Sequence, residues 1–266
     1  MSFITIATWN LERPSSKENA RIQRIRSSIQ RVVADIWVLT ETRAALMPEA
    51  QYLSVHSQPR TGGRTDSDER WVSVWSRWSA TSLSEDLWSA TVHIDSPIGE
   101  LLVHGVVLPY MHEPGQDGQR VPGWSRFKEE LLRQQDHWMR LREQYPGIPL
   151  VVAGDLNQNL DGKRWYGSPK TRHALRQALN AAGLNCLTLE DVVASGKLRR
   201  NHLIDHICAT DGLTAGGGIT CWEPITIDGL TMSDHPGVAV QLGRARSSSL
   251  DEHGRVEEQN GRAHET

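Results

Sequence analysis

Apolar positions along the chain fall into short continuous or alternating runs cut by turn residues, interrupted by three stretches of helical periodicity. From Phe3 to Trp9, Phe3, Thr5, Ala7 and Trp9 share one face while Ile4, Ile6 and Thr8 share the other. Both faces are largely apolar, the pattern of a strand covered on both sides. Pro14-Ser15-Ser16 breaks the run, Ser15 and Glu18 have capping-box spacing, and Ile22, Ile25, Ile29 and Val32 recur at helical intervals. Arg21, Arg24, Arg26 and Arg31 sit largely off that stripe and are expected on a solvated face. Ile36 to Leu39 is the next buried strand, ending at Thr40-Glu41-Thr42.

The polar, Gly-rich stretch 57–70 reads as a loop, and its Gly62-Gly63-Arg64 is a candidate for substrate contact. Strand-like runs follow at 71–75, 87–94 and 101–108, then a Pro- and Gly-containing loop at 109–123. Trp124, Phe127, Leu131, Trp138 and Leu141 mark a second helix, and residues 148–153 form a strand stopped by Gly154-Asp155. Leu175, Ala178, Leu179 and Ala182 give a third helix its packing face, with Gly183 as its C-terminal cap. Runs at 203–209 and 237–242 complete the strands. Strands outnumber helices, and the helices lie between pairs of strands, so a sheet sandwich flanked by helices fits best. The folded domain is expected over residues 1–242, and the tail 243–266, which lacks apolar periodicity, is expected to be disordered.

Composition narrows the classes. Apolar residues make up 38% of the 266, enough for a core. A net charge of −3 excludes a global basic footprint, so any nucleic-acid contact must come from a local patch. No run approaches the roughly 18 to 20 apolar residues of a membrane span. The start lacks the basic and apolar regions of a secretory signal. Cys186, Cys208 and Cys221 have no CxxC spacing and fit reduced thiols better than a disulfide frame or zinc site; a cytoplasmic location follows. Ten tryptophans suggest a Trp-rich core, with one or two free to stack on a base.

Polar residues recur at strand ends: Asn10, Glu41, Asp155 and Asn157, Asp205 and His206, and Ser233-Asp234-His235. Strand ends on one edge of a packed sheet meet in space, and loops held there are the usual seat of catalysis. Carboxylates, amides and histidine without cysteine form a hard, oxygen-rich set that selects Mg²⁺, Mn²⁺ or Ca²⁺ over zinc. A hard metal beside a histidine suits phosphoryl transfer or hydrolysis. No GxSxG elbow, P-loop or GxGxxG after the first strand offers another chemistry.

Trp9-Asn10, Thr40-Glu41-Thr42, Gly154-Asp155-Leu156-Asn157, Ile204-Asp205-His206-Ile207 and Ser233-Asp234-His235, in that order, resemble the endonuclease/exonuclease/phosphatase superfamily. The resemblance implies a four-layer α/β/β/α sandwich with two central mixed sheets. It implies Glu41 as main Mg²⁺ ligand (Mn²⁺ serving as well), Asn10 beside it directly or through water, and Asp234 as a further metal-side carboxylate. Asp155 would orient or deprotonate the attacking water, and Asn157 would hold a phosphate oxygen. His235 would meet the scissile phosphate as donor or base, and Asp205 would fix its tautomer. Relatives carry a Tyr or His shortly before a Pro in the middle strand; Val106 and Val107 stand there before Pro109, His104 is offset, and Tyr110 or His112 is left to supply the donor.

The implied activity is Mg²⁺-dependent phosphodiester hydrolysis, foremost by a nuclease on DNA or RNA. The alternative is a small phosphoester or a phospholipid head group. Lys163, Arg164, Trp165 and Tyr166 pair positive charge with aromatics just after the Asp155 motif, a combination suited to a backbone with a stacked base.

Overall fold

The computed structural model describes residues 2–47, 51–60, 66–114, 121–224 and 231–245. Gly62-Gly63-Arg64 and the tail from residue 246 lie outside them.

In chain order, the elements of the first half are β1 (Ile4–Asn10), α1 (Asn19–Val32), β2 (Ile36–Arg43), β3 (Leu53–His56), β4 (Glu69–Ser76), β5 (Ala80–Glu85), β6 (Ser89–Ser96) and β7 (Gly99–Val107). The second half adds α2 (Ser125–Gln144), β8 (Leu150–Asp155), α3 (Pro169–Ala181), β9 (Leu184–Cys186) and β10 (Asp205–Thr210). It ends with β11 (Leu213–Ala215), β12 (Thr220–Trp222) and β13 (Gly237–Arg244). One sheet runs β11-β13-β1-β2-β4-β3 with β12 also on β13; the other runs β5-β6-β7-β8-β10-β9. Each sheet contains one parallel neighbour pair, β1 with β2 and β7 with β8, joined by the crossover helices α1 and α2. Both sheets are therefore mixed.

Side-chain alternation builds four layers. Between the sheets lie Ile6, Val38, Val74, Val92, Val103, Val107, Val151 and Ile207. Outside the first sheet, Trp9, Trp37, Leu39 and Trp75 pack on Ile25 and Ile29 of α1. Outside the second, Leu102, Val106 and Val152 pack on Phe127, Leu131 and Trp138 of α2 and Leu175 and Leu179 of α3. This is the expected α/β/β/α sandwich. Gly105 points between the sheets where they approach closely: an added Cβ would lie 2.5 Å from a Val72 methyl.

Several local expectations need correction. Helix α1 starts at Asn19, not near Ser15; Glu18 still reaches back to accept the Ser15 N–H at 2.6 Å, half of the box. Arg21 and Arg26 are not on a solvated face. Arg21 donates to the carbonyls of Leu11 and Met232, and Arg26 to that of Leu46, clasping loops that fold over the helix. Periodicity cannot register a loop returning from 211 residues away. The last strand runs past Leu242, because Gly243 and Arg244 pair with Thr214 and Leu213 of β11. Strands β3, β5, β9, β11 and β12 escape the pattern because they are short or lie at sheet edges, where little apolar surface is buried. No helix among the described residues is long and apolar enough to cross a membrane.

Candidate active site

The two sheets bring their strand ends together at one edge, and hydrogen bonds cross between them there. Asn10, the last residue of β1, is buried and donates through Nδ2 to Asp155 Oδ2 (3.0 Å) at the end of β8 and to Glu41 Oε1 (3.3 Å) in β2. Its Oδ1 accepts the Glu12 N–H at 2.8 Å. Asp155 is clasped a second time by Asn157, whose backbone N–H donates to Oδ1 (2.9 Å) and whose Nδ2 donates to Oδ2 (3.0 Å). Asn157 Nδ2 also donates to Leu108 O, which ties the turn to the end of β7.

Backbone conformation aims these groups. Glu41 and Asn157 adopt left-handed φ values of 44° and 50°, uncommon for side-chain-bearing residues and characteristic of functional turns. Gly154 has φ 136°, and a Cβ there would fall 2.0 Å from Val106 O. Only glycine lets β8 lie this close to β7 and still deliver Asp155.

His235, just ahead of β13, meets Asp205, the first residue of β10, with Nδ1 2.5 Å from Oδ2. A carboxylate accepts the Nδ1–H and so fixes the tautomer that turns Nε2 outward. The Ser-Asp-His turn is pinned twice: Ser233 Oγ donates to Asn10 O (2.6 Å) and accepts the His235 N–H (3.0 Å). Trp9 Nε1 donates to His235 O at 2.8 Å. Ligand atoms of Asp155, Asp205 and His235 all lie within 4.8 Å of one another. The carboxylates of Asp205 and Asp155 outweigh burial and raise the His235 imidazole to about 10. Burial pushes the Asp155 carboxyl up to about 8; the charges of Asp205 and Glu41 add to this and His235 opposes it.

A cavity of about 330 Å³ opens over these groups, lined by Glu41, Asp155, Asn157 and His235 and by Glu12, Arg13, Tyr110, Trp165, Tyr166, His202 and Asp234. Asp234 stands at the rim, its side chain 63% exposed and its Oδ1 3.8 Å from His235 Nε2. Tyr110 lines the cavity with its phenol raised to about 12 by burial and the nearby Glu113. His104 faces the other way: fully buried, it contacts Thr91 and Gln134 beneath α2. His112 accepts the Gly123 N–H, and Val106 and Val107 are core residues. Lys163 is engaged with Asp191 at 3.3 Å, and neither it nor Arg164 lines the cavity, whereas Trp165 is 46% exposed and does.

Glu12, Arg13, His202 and Pro236 line the cavity without having been singled out in the sequence. Arg13 Nε lies 2.8 Å from Glu41 Oε2, and Glu12 is raised by burial and by Asp234, against the opposing pull of Arg21. Both follow Asn10 closely, the one signal available. His202 packs 6.0 Å from the Trp165 ring and donates through Nδ1 to Asp161 (2.6 Å).

The donor chemistry fits a hard divalent cation. Glu12, Glu41, Asp155 and Asp234 gather carboxylate oxygens around one cavity, with the Asn10 amide turned to Asp155 and Glu41 through its Nδ2, and neighbouring negative charge adds to burial in raising the Asp155 and Glu12 carboxyls.

The sequence matches the endonuclease/exonuclease/phosphatase family over residues 7–235. The chain belongs to that family. Comparison with curated protein sequences returns no match. Among solved structures, the fold is similar to the AP endonuclease LMAP of Leishmania major (TM-score 0.63, 12% identity, 91% of this chain and 88% of that one). The human Nocturnin catalytic domain with bound sulfate is equally near (TM-score 0.63, 15% identity, 91% and 95%). The endonuclease domain of the retrotransposon TRAS1 follows (TM-score 0.61, 14% identity, 91% and 99%). At these identities the likeness is one of fold. Members of this family hydrolyse phosphate esters, and the cavity of this member holds the carboxylate, amide and imidazole groups described above.

Proposed function

We propose that this family member is a divalent-metal-dependent phosphodiesterase that cuts nucleic acid. The observation carrying the proposal is the convergence of a doubly clasped Asp155 and an Asp205-held His235 over one cavity with Glu41. Glu41, with Asn10 and Asp234, would hold Mg²⁺ or Mn²⁺, and such an ion, when bound, supplies Lewis-acid polarisation of a phosphoryl oxygen.

The chain's own groups divide the remaining work. His235, its Nδ1 held by Asp205 and its imidazole raised by the neighbouring carboxylates, serves as the donor to charge developing on a phosphoryl oxygen. Asp155 orients the attacking water, its two oxygens aimed by Asn10 and Asn157; a bound cation would oppose the burial that raises its carboxyl to about 8 and so keep it ionised to take the water's proton. Asn157 holds Asp155, its Nδ2 shared between that carboxylate and Leu108 O, and lines the cavity in which a phosphate would sit. Asp205 fixes the His235 ring. Tyr110 adds a hydroxyl to the cavity beside the His235 imidazole.

Trp165 and Tyr166 in the cavity wall favour a substrate with a base to stack. Two similar folds are, by name, an AP endonuclease and an endonuclease domain, which supports the same choice. The acidic rim residues Glu12 and Asp234 favour a second reading, a small phosphoester or phospholipid head group with fewer charges to accommodate. Plasmid and oligonucleotide cleavage with and without Mg²⁺ tests the first, comparing the wild type with Asp155→Ala and His235→Ala. Cleavage by the wild type alone supports it; equal cleavage by all three removes it, and activity confined to small phosphoesters selects the second reading.

A further inference from the structure

Strand β10 presents Asp205 to the cavity and, by alternation, His206 and Cys208 to the opposite, helix-covered face. His206 is fully buried. Its Nε2 donates to Gln158 O at 3.0 Å, and its Nδ1 lies 2.9 Å from Thr188 Oγ1 and 3.6 Å from Cys186 Sγ. Gln158 directly follows Asn157, so this ring clips the catalytic turn from behind.

Cys186 of β9 and Cys208 of β10 stand directly opposite each other, and both are free thiols. Leu187 N donates to Ile207 O at the next position (2.9 Å), which makes the cysteine pair a non-hydrogen-bonded site of the antiparallel ladder. At such sites Cα atoms approach to about 4.5 Å and both side chains leave the same face. Disulfides span Cα separations of about 4.4 to 6.8 Å, so these two sulfurs can join without a shift of register. Strand β9 is a three-residue edge strand, free on its outer side to adjust.

The two sulfurs differ. Cys186 is half-buried and lines a surface hollow with Leu160, Arg176 and Leu189, whereas Cys208 is fully buried. The neighbouring Cys208, with help from His206 and against the effect of burial, holds the Cys186 thiol well below its ordinary value. The neighbouring Cys186 and burial push Cys208 well above. Cys221, on the other sheet, is pushed up to about 12 by burial. Cys186 is thus the more accessible of the pair, with a partner thiol behind it.

We propose that Cys186 and Cys208 are a peroxide-reactive dithiol whose closure as a disulfide loosens the catalytic turn through His206. The Cys186 thiolate attacks a peroxide oxygen; the S–O bond forms, the O–O bond breaks, and the departing hydroxide takes up the proton that the Cys186 thiol released and leaves as water. Cys208 then attacks the Cys186 sulfur, the S–S bond forms, the S–O bond breaks, and a second water carries away the Cys208 proton. Two thiols are oxidised and one peroxide is reduced to two waters. The bond draws Cys186 away from His206, whose hold on Gln158 positions Asn157 and Asp155.

The test treats the full chain with hydrogen peroxide, then counts alkylatable thiols and maps peptides. The expected result is a fall from three thiols to Cys221 alone, a Cys186–Cys208 linked peptide, and recovery with dithiothreitol. In Cys208→Ala, Cys186 is expected to give a dimedone-trappable sulfenic acid faster than Cys221 does. Three surviving thiols, or a link through Cys221, would overturn the site, and the wild-type count decides this even where a variant folds poorly. The effect on the active site rests on the proposed phosphodiesterase reading: oxidation is expected to lower hydrolysis at least about threefold in the wild type and not in Cys186→Ser. An equal fall in both overturns the link to the catalytic turn, whereas absence of hydrolysis in every sample counts against the function and leaves the thiol count standing.

Discussion

Two aspartate–histidine pairs border the same cavity and are built on different foundations. Asp205 and His235 come from opposite sheets; Asp205 is fully buried, and the turn carrying His235 is bonded to β1 at Asn10 and Trp9. Asp161 and His202 come from two loops beside the second sheet, with Asp191 3.8 Å from the same nitrogen and Lys163 tying Asp191 to the surface. The contact distances are nearly equal, 2.5 and 2.6 Å. What differs is the surroundings: the first pair faces Asp155 and shares its charge, while the second stacks on Trp165. On the proposed reading, a similar side-chain pair serves chemistry when strand ends hold it against another carboxylate, and lines a wall when loops hold it.

The largest expected effect comes from breaking the first pair's chemistry. His235→Ala or Asp155→Ala should lower phosphodiester hydrolysis by about 10³-fold with the fold intact, as measured by steady-state rates and circular dichroism. Gly154→Ala should act on the same pair through the backbone. Asp155 and Asp205 are register partners in β8 and β10, so displacing β8 from Val106 should destabilise by about 2 to 4 kcal/mol in urea unfolding and cost activity as well. Asp205→Asn keeps the shape of the pair but removes its charge, and should lower the rate about 10- to 100-fold, with a changed pH–rate profile.

The pH dependence sharpens the contrast further. The His235 value near 10 lies above the 6.5 of an unfolded imidazole, so the folded state binds this proton more tightly. The contribution is full below about 6.5 and drains as pH rises through about 10. Unfolding of the chelator-treated protein should show that loss, and Asp205→Asn should flatten it. Smallest of all, His202→Asn should change the rate less than about tenfold and appear mainly in KM, because Asp161 and Trp165 remain. A loss as large as that of His235→Ala would erase the distinction drawn between the pairs.

Much of the first pair was legible in the sequence and little of the second. Asp205 sits inside an apolar run, where an unpaired carboxylate is costly, so the need for a partner could be argued before any contact was seen. Asp161 and His202 lie in irregular segments whose path no periodicity specifies. Arg13 was hidden for the same reason: its place on Glu41 depends on left-handed turns at Glu12 and Arg13, at residues with no glycine to announce them. His104 illustrates the converse, a histidine near the expected donor position that alternation sends beneath α2.

By itself the sequence determined which residues end strands, because apolar runs and the turns that stop them are local properties. It also determined the chemical character of the site, since oxygen donors and one histidine recur at those ends. Tertiary structure alone decided which ends meet, through the crossing of Asn10 to Asp155 and of His235 to Asp205 between two sheets. It also decided that Cys186 faces Cys208, since ladder register is set by long-range pairing and burial rather than by any short stretch of chain.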